Sequence, residues 1–444
     1  MNAGEADPVA EFIKAGTWHG SLERANAMLA AHPEIAAANI HTAAVLGDDA
    51  AVRRFLEIDP ASAIATSPPY DGNALVYLCL SKYLRLDAAR SDRLLRAATA
   101  LLDAGANPNS GFWTKGQHPE FETALYGAAG VAHHPAMTRL LLEWGADPND
   151  EEVVYHSPES HETDVLKLLV ETGRLSVESL TLMLIRKHDW HHYEGVTYLL
   201  EHGADPNLQW RHGWCAVHHA IARDNDLKLI EALLDHGGDP TRPARDNQES
   251  AVALAARRGR GDLLALFERR GISVALPGAL QLIAACARND EAAIHSIAAR
   301  EPQLVSDVLV QGGKLLAEFA GTWNTDGVRH LLDLGVPVDA LYSGDGYFDI
   351  AKESTALHVA AWKGLPATVT FLIERGAPVN VKDAKGRTPL VLAVKACVDS
   401  YWTDRRTPES VDALLNAGAS VEGVTYPSGY VDVDNLLRQY VRDI

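Results

Sequence analysis

The stretch FLIERGAPVNVKDAKGRTPLVLA, residues 371–393, carries a full set of signals for ending one helix and beginning another. Leu372 and Ile373 close an amphipathic helix on its apolar side. Gly376 follows, where a left-handed residue satisfies the last carbonyls, and Pro378 stops the helix from continuing. Residues 379–385 have no helical period, and Asp383 and Gly386 punctuate them as a turn. Thr388 then stands as an N-cap, Pro389 as the first helical residue and Leu390 as the first core contact. The small side chain of Ala393 lets a neighbouring helix come close.

Looser copies of this piece fill most of the chain. The glycine after the second helix, or its stand-in, falls at His32, Asp59, Gly105, Gly145, Gly173, Gly203, Gly237, Gly271, Glu301, Gly335, Gly376 and Gly418, at intervals of 27 to 46 residues. DAKGRTPLVLA at 383–393, STALHVAA at 354–361 and LLEHGADPN at 199–207 resemble ankyrin repeats, whose period is about 33 residues. The resemblance implies an all-α fold: an ankyrin-repeat solenoid of stacked helix-turn-helix units, about twelve of them, joined by β-turn finger loops. It is weaker at 150–190, at 306–330 and where Pro33, Pro60 and Pro302 replace the glycine signal and are expected to stop the helix. The expected organisation is one continuous solenoid over residues 1–444. Degenerate repeats fill 1–110, central repeats 111–275, further degenerate repeats 276–330 and consensus-like repeats 331–430. A capping helix covers 431–444, with Leu436, Leu437, Tyr440 and Val441 at helical spacing.

His41, His218 and His358 occupy the histidine slot of the first-helix signature in NIHTAA, CAVHHAI and TALHVAA. The resemblance implies that these rings hydrogen-bond across loops and have no chemical role.

Composition narrows the function classes. A net charge of −19 repels phosphate backbones, and no basic run offsets it, so nucleic acid and anionic membranes are not expected partners. The four cysteines, Cys79, Cys215, Cys286 and Cys397, are widely spaced and read as small core residues. MNAGEADPVAEF has no basic region followed by an apolar run, and no apolar stretch approaches ~18 residues, so a cytoplasmic location is expected. The Ala- and Arg-rich composition hints at a bacterial source.

No HExxH, GxSxG, GxxxxGK[ST] or helix-opening GxGxxG occurs. The unusual feature is a surplus of nineteen histidines and nine tryptophans, many outside the repeat signature. One group falls at the turn between the two helices of a unit: Trp18, His134, Trp190, Trp323 and Trp402. In a stack, equivalent positions line up along one edge.

A second group falls in the segments that reach from one unit to the next: Phe112, Trp113, Tyr155, His156, Trp210, His212, Trp214, Tyr347 and Phe348. The resemblance implies that such loops project as fingers and line a concave binding face. Aromatics on loops are unneeded by the core and suit interface anchors. These residues are therefore the candidate partner-binding set, with the long loops at 110–121, 150–162 and 341–353 making the deepest contacts.

The expected role is recognition of a partner protein through the concave face of the solenoid. No metal and no cofactor is expected. In KHDWHH, His188 and His192 would face one way only if the helix continued, and no third ligand is evident. The competing reading is a small-molecule site or an enzyme with an acid–base centre in the central repeats. Its candidate residues are Glu122, Tyr126, His133, Tyr155, His156 and His188, because they pair carboxylate with imidazole in neighbouring units.

Overall fold

The computed structural model describes residues 7–400 and 402–440. The chain divides into two compact units, Met1–Asp239 and Pro240–Ile444. Both are assembled from short helices, and the named strands among the described residues form two small hairpins in the first unit.

In the first unit the inner helices are Pro8–Gly16, Ile40–Leu46, Ala74–Cys79, Ala124–Tyr126 with its π-turn Gly127–Val131, Glu151–His156, Val177–Asp189 and Ala216–Ala222. They contact one another in chain order. Each is followed by an outer helix: Leu22–Ala31, Asp49–Ile58, Ala88–Asp103, Pro135–Glu143, Asp164–Glu171, Tyr193–Glu201 and Leu227–Asp235. The inner layer is the drier one. Ala74–Cys79 is buried along its whole length, whereas Asp49–Ile58 buries only Ala51 and Val52.

The signals read around residue 376 perform as expected. Gly376 has φ +84° and Gly203 φ +97°, the left-handed geometry that closes an outer helix. Thr388 Oγ1 accepts from the Val391 amide, and Pro389 opens its helix. His41 Nε2 donates to the Ala65 carbonyl at 2.8 Å, and His358 Nε2 to that of Arg387 at 3.2 Å. These slot histidines therefore tie an inner helix to the following loop. Pro33, Pro60 and Pro302 do more than stop a helix. Each sits at the start of a new helical segment, Pro33–Ala37, Pro60–Ala63 and Pro302–Val310, because its fixed φ suits a first turn.

The short turn from inner to outer helix also needs a left-handed residue. Gly47 supplies one at φ +70°, but Trp18 (+46°), His133 (+43°), His191 (+49°) and Trp323 (+58°) take the same region without being glycine. Such a residue costs about 1 kcal/mol relative to ordinary helical backbone.

Successive units are joined by an asparagine device. Asn149 Nδ2 donates to the Arg174 carbonyl (3.0 Å), and its Oδ1 accepts from the Ser176 amide (2.8 Å). Asn109, Asn207 and Asn380 make the same two bonds to Gly145/Asp147, Gly237/Asp239 and Gly418/Ser420. Each amide satisfies one backbone carbonyl and one backbone N–H in the next turn, so it sets the spacing between repeats.

The second unit pairs Ala251–Arg257 with Gly261–Arg269, Ala279–Ala287 with Glu291–Arg300, Gly312–Ala320 with Thr325–Asp333, Ala356–Trp362 with Pro366–Glu374, and Pro389–Val398 with Glu409–Asn416. The helix Pro302–Val310 is additional and packs on Ala279–Ala287. At the C-terminal end, Val431–Leu437 buries Val433 and Leu437 and contacts Glu409–Asn416. Leu436 is only half-buried there, and Val441 lies outside the described residues.

Asn149→Ala removes both clamp bonds and two more, from the Ser179 hydroxyl to Oδ1 and from Nδ2 to Asp147 Oδ1. At roughly 0.5–1.5 kcal/mol per net hydrogen bond, partly replaced by water, we expect a loss of about 2 kcal/mol in urea denaturation followed by circular dichroism. An unchanged unfolding midpoint would show that the clamp contributes nothing.

Candidate functional site

Strand pairing builds one side of the site. Gly111–Trp113 pairs antiparallel with Phe121–Thr123, placing Phe112 opposite Glu122 and Trp113 opposite Phe121. Side chains alternate across a strand, so the Phe112–Glu122 pair turns inward and the Trp113–Phe121 pair turns outward. Glu122 is 2% exposed, while Trp113 is 63% exposed with its ring 5.1 Å from that of Phe121. Phe112, read from sequence as a presented contact, is instead packed inside. It stacks on Tyr70 at 5.0 Å and meets Trp18 edge-on at 5.6 Å. Trp18 Nε1 in turn donates to the Tyr126 hydroxyl at 3.4 Å.

The next wall is the helix Glu151–His156. Its N-cap Asp150 accepts from the amides of Glu152 and Val153, while Val153 and Val154 bury. Tyr155 and His156 therefore lie on the last turn of a short helix, not on a finger loop as their spacing suggested. His156 Nδ1 meets Glu159 at 2.9 Å and Nε2 meets Glu152 at 3.3 Å. The Tyr126 ring lies 5.4 Å from the imidazole.

Arg186, from the helix Val177–Asp189, bridges Glu159 and Asp189, and its guanidinium lies 4.1 Å over the Tyr155 ring. Asp189 also holds His219 Nε2 at 2.8 Å and Arg223 Nε at 2.6 Å. A chain of alternating charges thus crosses three inner helices.

The environment shifts these groups in opposite directions. Burial, with Glu152 and Glu120 adding repulsion, pushes the Glu122 carboxyl up to about 7. Burial alone would depress His156, but the Glu152 and Glu159 carboxylates outweigh it and hold the imidazole at about 9. Burial likewise opposes ionisation of Asp189, yet His219, Arg223 and Arg186 bring it down to about 2. Desolvation pushes the Tyr126 phenol up to about 12. At neutral pH, His156 is therefore a cation and a donor, and Tyr126 is a neutral phenol.

Of the six residues proposed for acid–base work, Glu122, Tyr126, Tyr155 and His156 come together. His133 occupies its left-handed turn, where burial, reinforced by Arg85, lowers its pKa. His188 is fully buried and donates through Nδ1 to Asn225 Oδ1 at 2.7 Å. It cannot face the same way as His192, because the helix ends at Asp189 and His192 caps the next one.

Trp210 and Trp214 flank the turn Arg211–Gly213 and are half-buried; the Trp210 amide donates to the Trp214 carbonyl at 2.8 Å. The His212 side chain lies outside the described residues. In the second unit, Phe348 is buried among Ile350, Trp362 and Trp402, with the Lys363 ammonium 4.0 Å from its ring, and Tyr347 packs half-buried on that cluster. Phe348 is thus a core residue of its loop, because the Trp362 indole donates to its carbonyl at 2.6 Å and draws the loop inward. Arg387 fastens the same loop to the next by binding both Asp349 and Asp383.

Among the turn residues, His134 caps Pro135–Glu143 and meets Ser91 Oγ at 2.6 Å, and Trp402 is buried. Trp190 and Trp323 remain open to solvent. Glu152, Glu159, Arg186, Asp189, His219 and Arg223 were absent from the sequence-based site. Their helical spacings, Glu152/His156, Arg186/Asp189 and His219/Arg223, are the signal that could have found them.

Burial of His188 makes a testable contribution to acid sensitivity. Desolvation, reinforced by His219 and His191 and opposed by Asn225 and Asp189, lowers its pKa to about 3 in the fold, while the unfolded chain protonates it near 6.5. The unfolded state binds more protons between those values. Stability is thus intact above pH 6.5 and is lost as pH falls through the window. Between pH 7 and pH 5 the expected loss from this group is about 2 kcal/mol. Comparing the pH dependence of unfolding in the wild type and His188→Gln isolates it, and parallel curves would refute it.

Comparison with known proteins agrees with this architecture. A model described as ankyrin repeats (3 copies) matches residues 182–276, and one described as ankyrin repeat matches residues 352–384. Serine/threonine-protein kinase 12 of Arabidopsis thaliana is 36% identical over 85 residues, 19% of this chain and 17% of that protein. Rabankyrin-5 of Homo sapiens is 39% identical over 69 residues, 16% of this chain and 6% of that protein, and the Mus musculus form is 40% identical over 67 residues, 15% and 6% respectively. The matches thus span less than a fifth of each relative's length. Ankyrin repeats are generally protein–protein interaction modules. With helix pairs stacked in chain order, left-handed closures, slot histidines and two matching repeat models, this chain contains ankyrin repeats.

Proposed function

We propose that the chain recognises a partner protein through the finger hairpin and inner-helix face of its first unit, the concave face of the expected solenoid. The carrying observation is Trp113. A tryptophan 63% exposed on an ordered two-stranded hairpin is a ready anchor whose position is fixed before the partner arrives. Trp210, Trp214, Tyr155 and His156 extend the same candidate surface toward the later repeats, and Tyr347 is the corresponding candidate in the second unit. The net charge of −19 favours a partner of positive surface potential. Among the described residues no helix is long and apolar enough to cross a membrane. We infer that recognition takes place in the cytoplasm.

A second reading, a small-molecule or acid–base site, is favoured by the convergence of Glu122, Tyr126 and His156. A metabolite that raises the melting temperature of the wild type but not of His156→Ala would support that reading over ours.

The test of the first reading uses the full chain as bait in a cell extract, followed by titration of the captured protein against the wild type and Trp113→Ala. We expect a loss of about 2 kcal/mol or more in affinity with an unchanged melting temperature, as for a central aromatic anchor. Equal affinity would place the interface away from the hairpin.

A further inference from the structure

Glu120, Glu122 and Glu152 each offer a carboxylate oxygen, and the three oxygens all lie within 4.8 Å of one another. Two come from alternate positions of one strand end, which share a face. The Thr114 amide donates to the Glu120 carbonyl at 2.9 Å, so the hairpin pairing reaches that residue. The third comes from the first turn of Glu151–His156. The sequence could not show the cluster, because the strand pair and the next inner helix meet only in the fold.

The second observation is the state of Glu122. It is 2% exposed, and its Oε2 is buried with no hydrogen-bond donor among the described residues. The imidazolium of His156 does not serve it, because its Nε2 is directed to Glu152 and its Nδ1 to Glu159. Asp150 is occupied in capping its helix. A buried carboxylate oxygen with no donor is unfavourable, and a cation placed among the three carboxylates removes the penalty.

The donor set selects the ion. Three carboxylates are hard oxygen ligands, which suit Ca²⁺, Mn²⁺ or Mg²⁺ and disfavour ions that prefer thiolate or imidazole. With Ca²⁺–O bonds of about 2.3–2.6 Å, two ligand oxygens can stand up to about 5 Å apart, whereas Mg²⁺ limits them to about 4.2 Å. The three oxygens lie within 4.8 Å of one another, a separation that Ca²⁺ can span. We propose that Glu120, Glu122 and Glu152 form a binding site for a calcium-class divalent cation, completed by water, that ties the finger hairpin to the helix Glu151–His156.

The test is calorimetric titration of the chelator-treated full chain with CaCl₂, alongside thermal unfolding with and without the ion. The expected result is one saturable Ca²⁺ site per chain and a melting temperature that rises with Ca²⁺. Binding should be lost in Glu122→Gln, weakened about tenfold or more in Glu120→Gln, and intact in Glu374→Gln, an exposed control in the second unit. Glu120 is exposed, so its variant keeps the test decisive even if Glu122→Gln folds poorly. An acidic chain also attracts divalent ions diffusely. Non-saturable binding, binding equal in all three variants, or no binding at millimolar Ca²⁺ would each overturn the site.

Discussion

The asparagine clamp is the interaction on which the rest of the architecture depends. Side-chain packing alone lets neighbouring helices slide, since apolar contacts are non-directional. The Asn149 amide is directional: it holds the carbonyl of Arg174 and the N–H of Ser176 at once. Asn149 immediately precedes the cap of Glu151–His156, and Ser176 is itself the cap of Val177–Asp189. The clamp therefore fixes how the helix bearing His156 meets the helix bearing Arg186 and Asp189. The charge chain from Glu152 to Arg223 follows from that spacing.

A second constraint acts at the finger. Pairing of Phe112 with Glu122 decides which side chains face inward. A slip by one residue would bury Trp113 and Phe121 and expose Phe112 and Glu122. The aromatic packing of Phe112 on Tyr70 and Trp18 opposes such a slip from inside, and Trp18 reaches on to Tyr126. The exposed anchor, the buried carboxylate and the phenol beside His156 thus share one structural cause.

Much of the fold was legible because its signals are local. Gly376, Thr388 and Pro389 act within a few residues of themselves, and the slot histidines His41 and His358 reach only to the next loop. The prolines were half legible. Their helix-stopping effect is a property of the residue, but whether a new helix begins there depends on what packs against it, as for Pro302–Val310 on Ala279–Ala287.

The site was less legible. Glu151–His156 is under two turns long and shows no full apolar period, so Tyr155 and His156 read as loop residues. The Trp18–Tyr126 bond spans 108 residues, and no local pattern announces it. Phe348 illustrates the opposite error: an aromatic on a loop that serves the loop's own core.

The central claim is that hairpin register sorts adjacent residues into an outward anchor and an inward wall. Hydroxyl-radical footprinting of the full chain, read by tandem mass spectrometry and normalised to the unfolded chain, addresses it residue by residue. Trp113 is expected to be labelled nearly as fast as in the unfolded chain while neighbouring Phe112 is strongly protected. Protection of Trp113 with labelling of Phe112 would contradict the register and the recognition surface built on it.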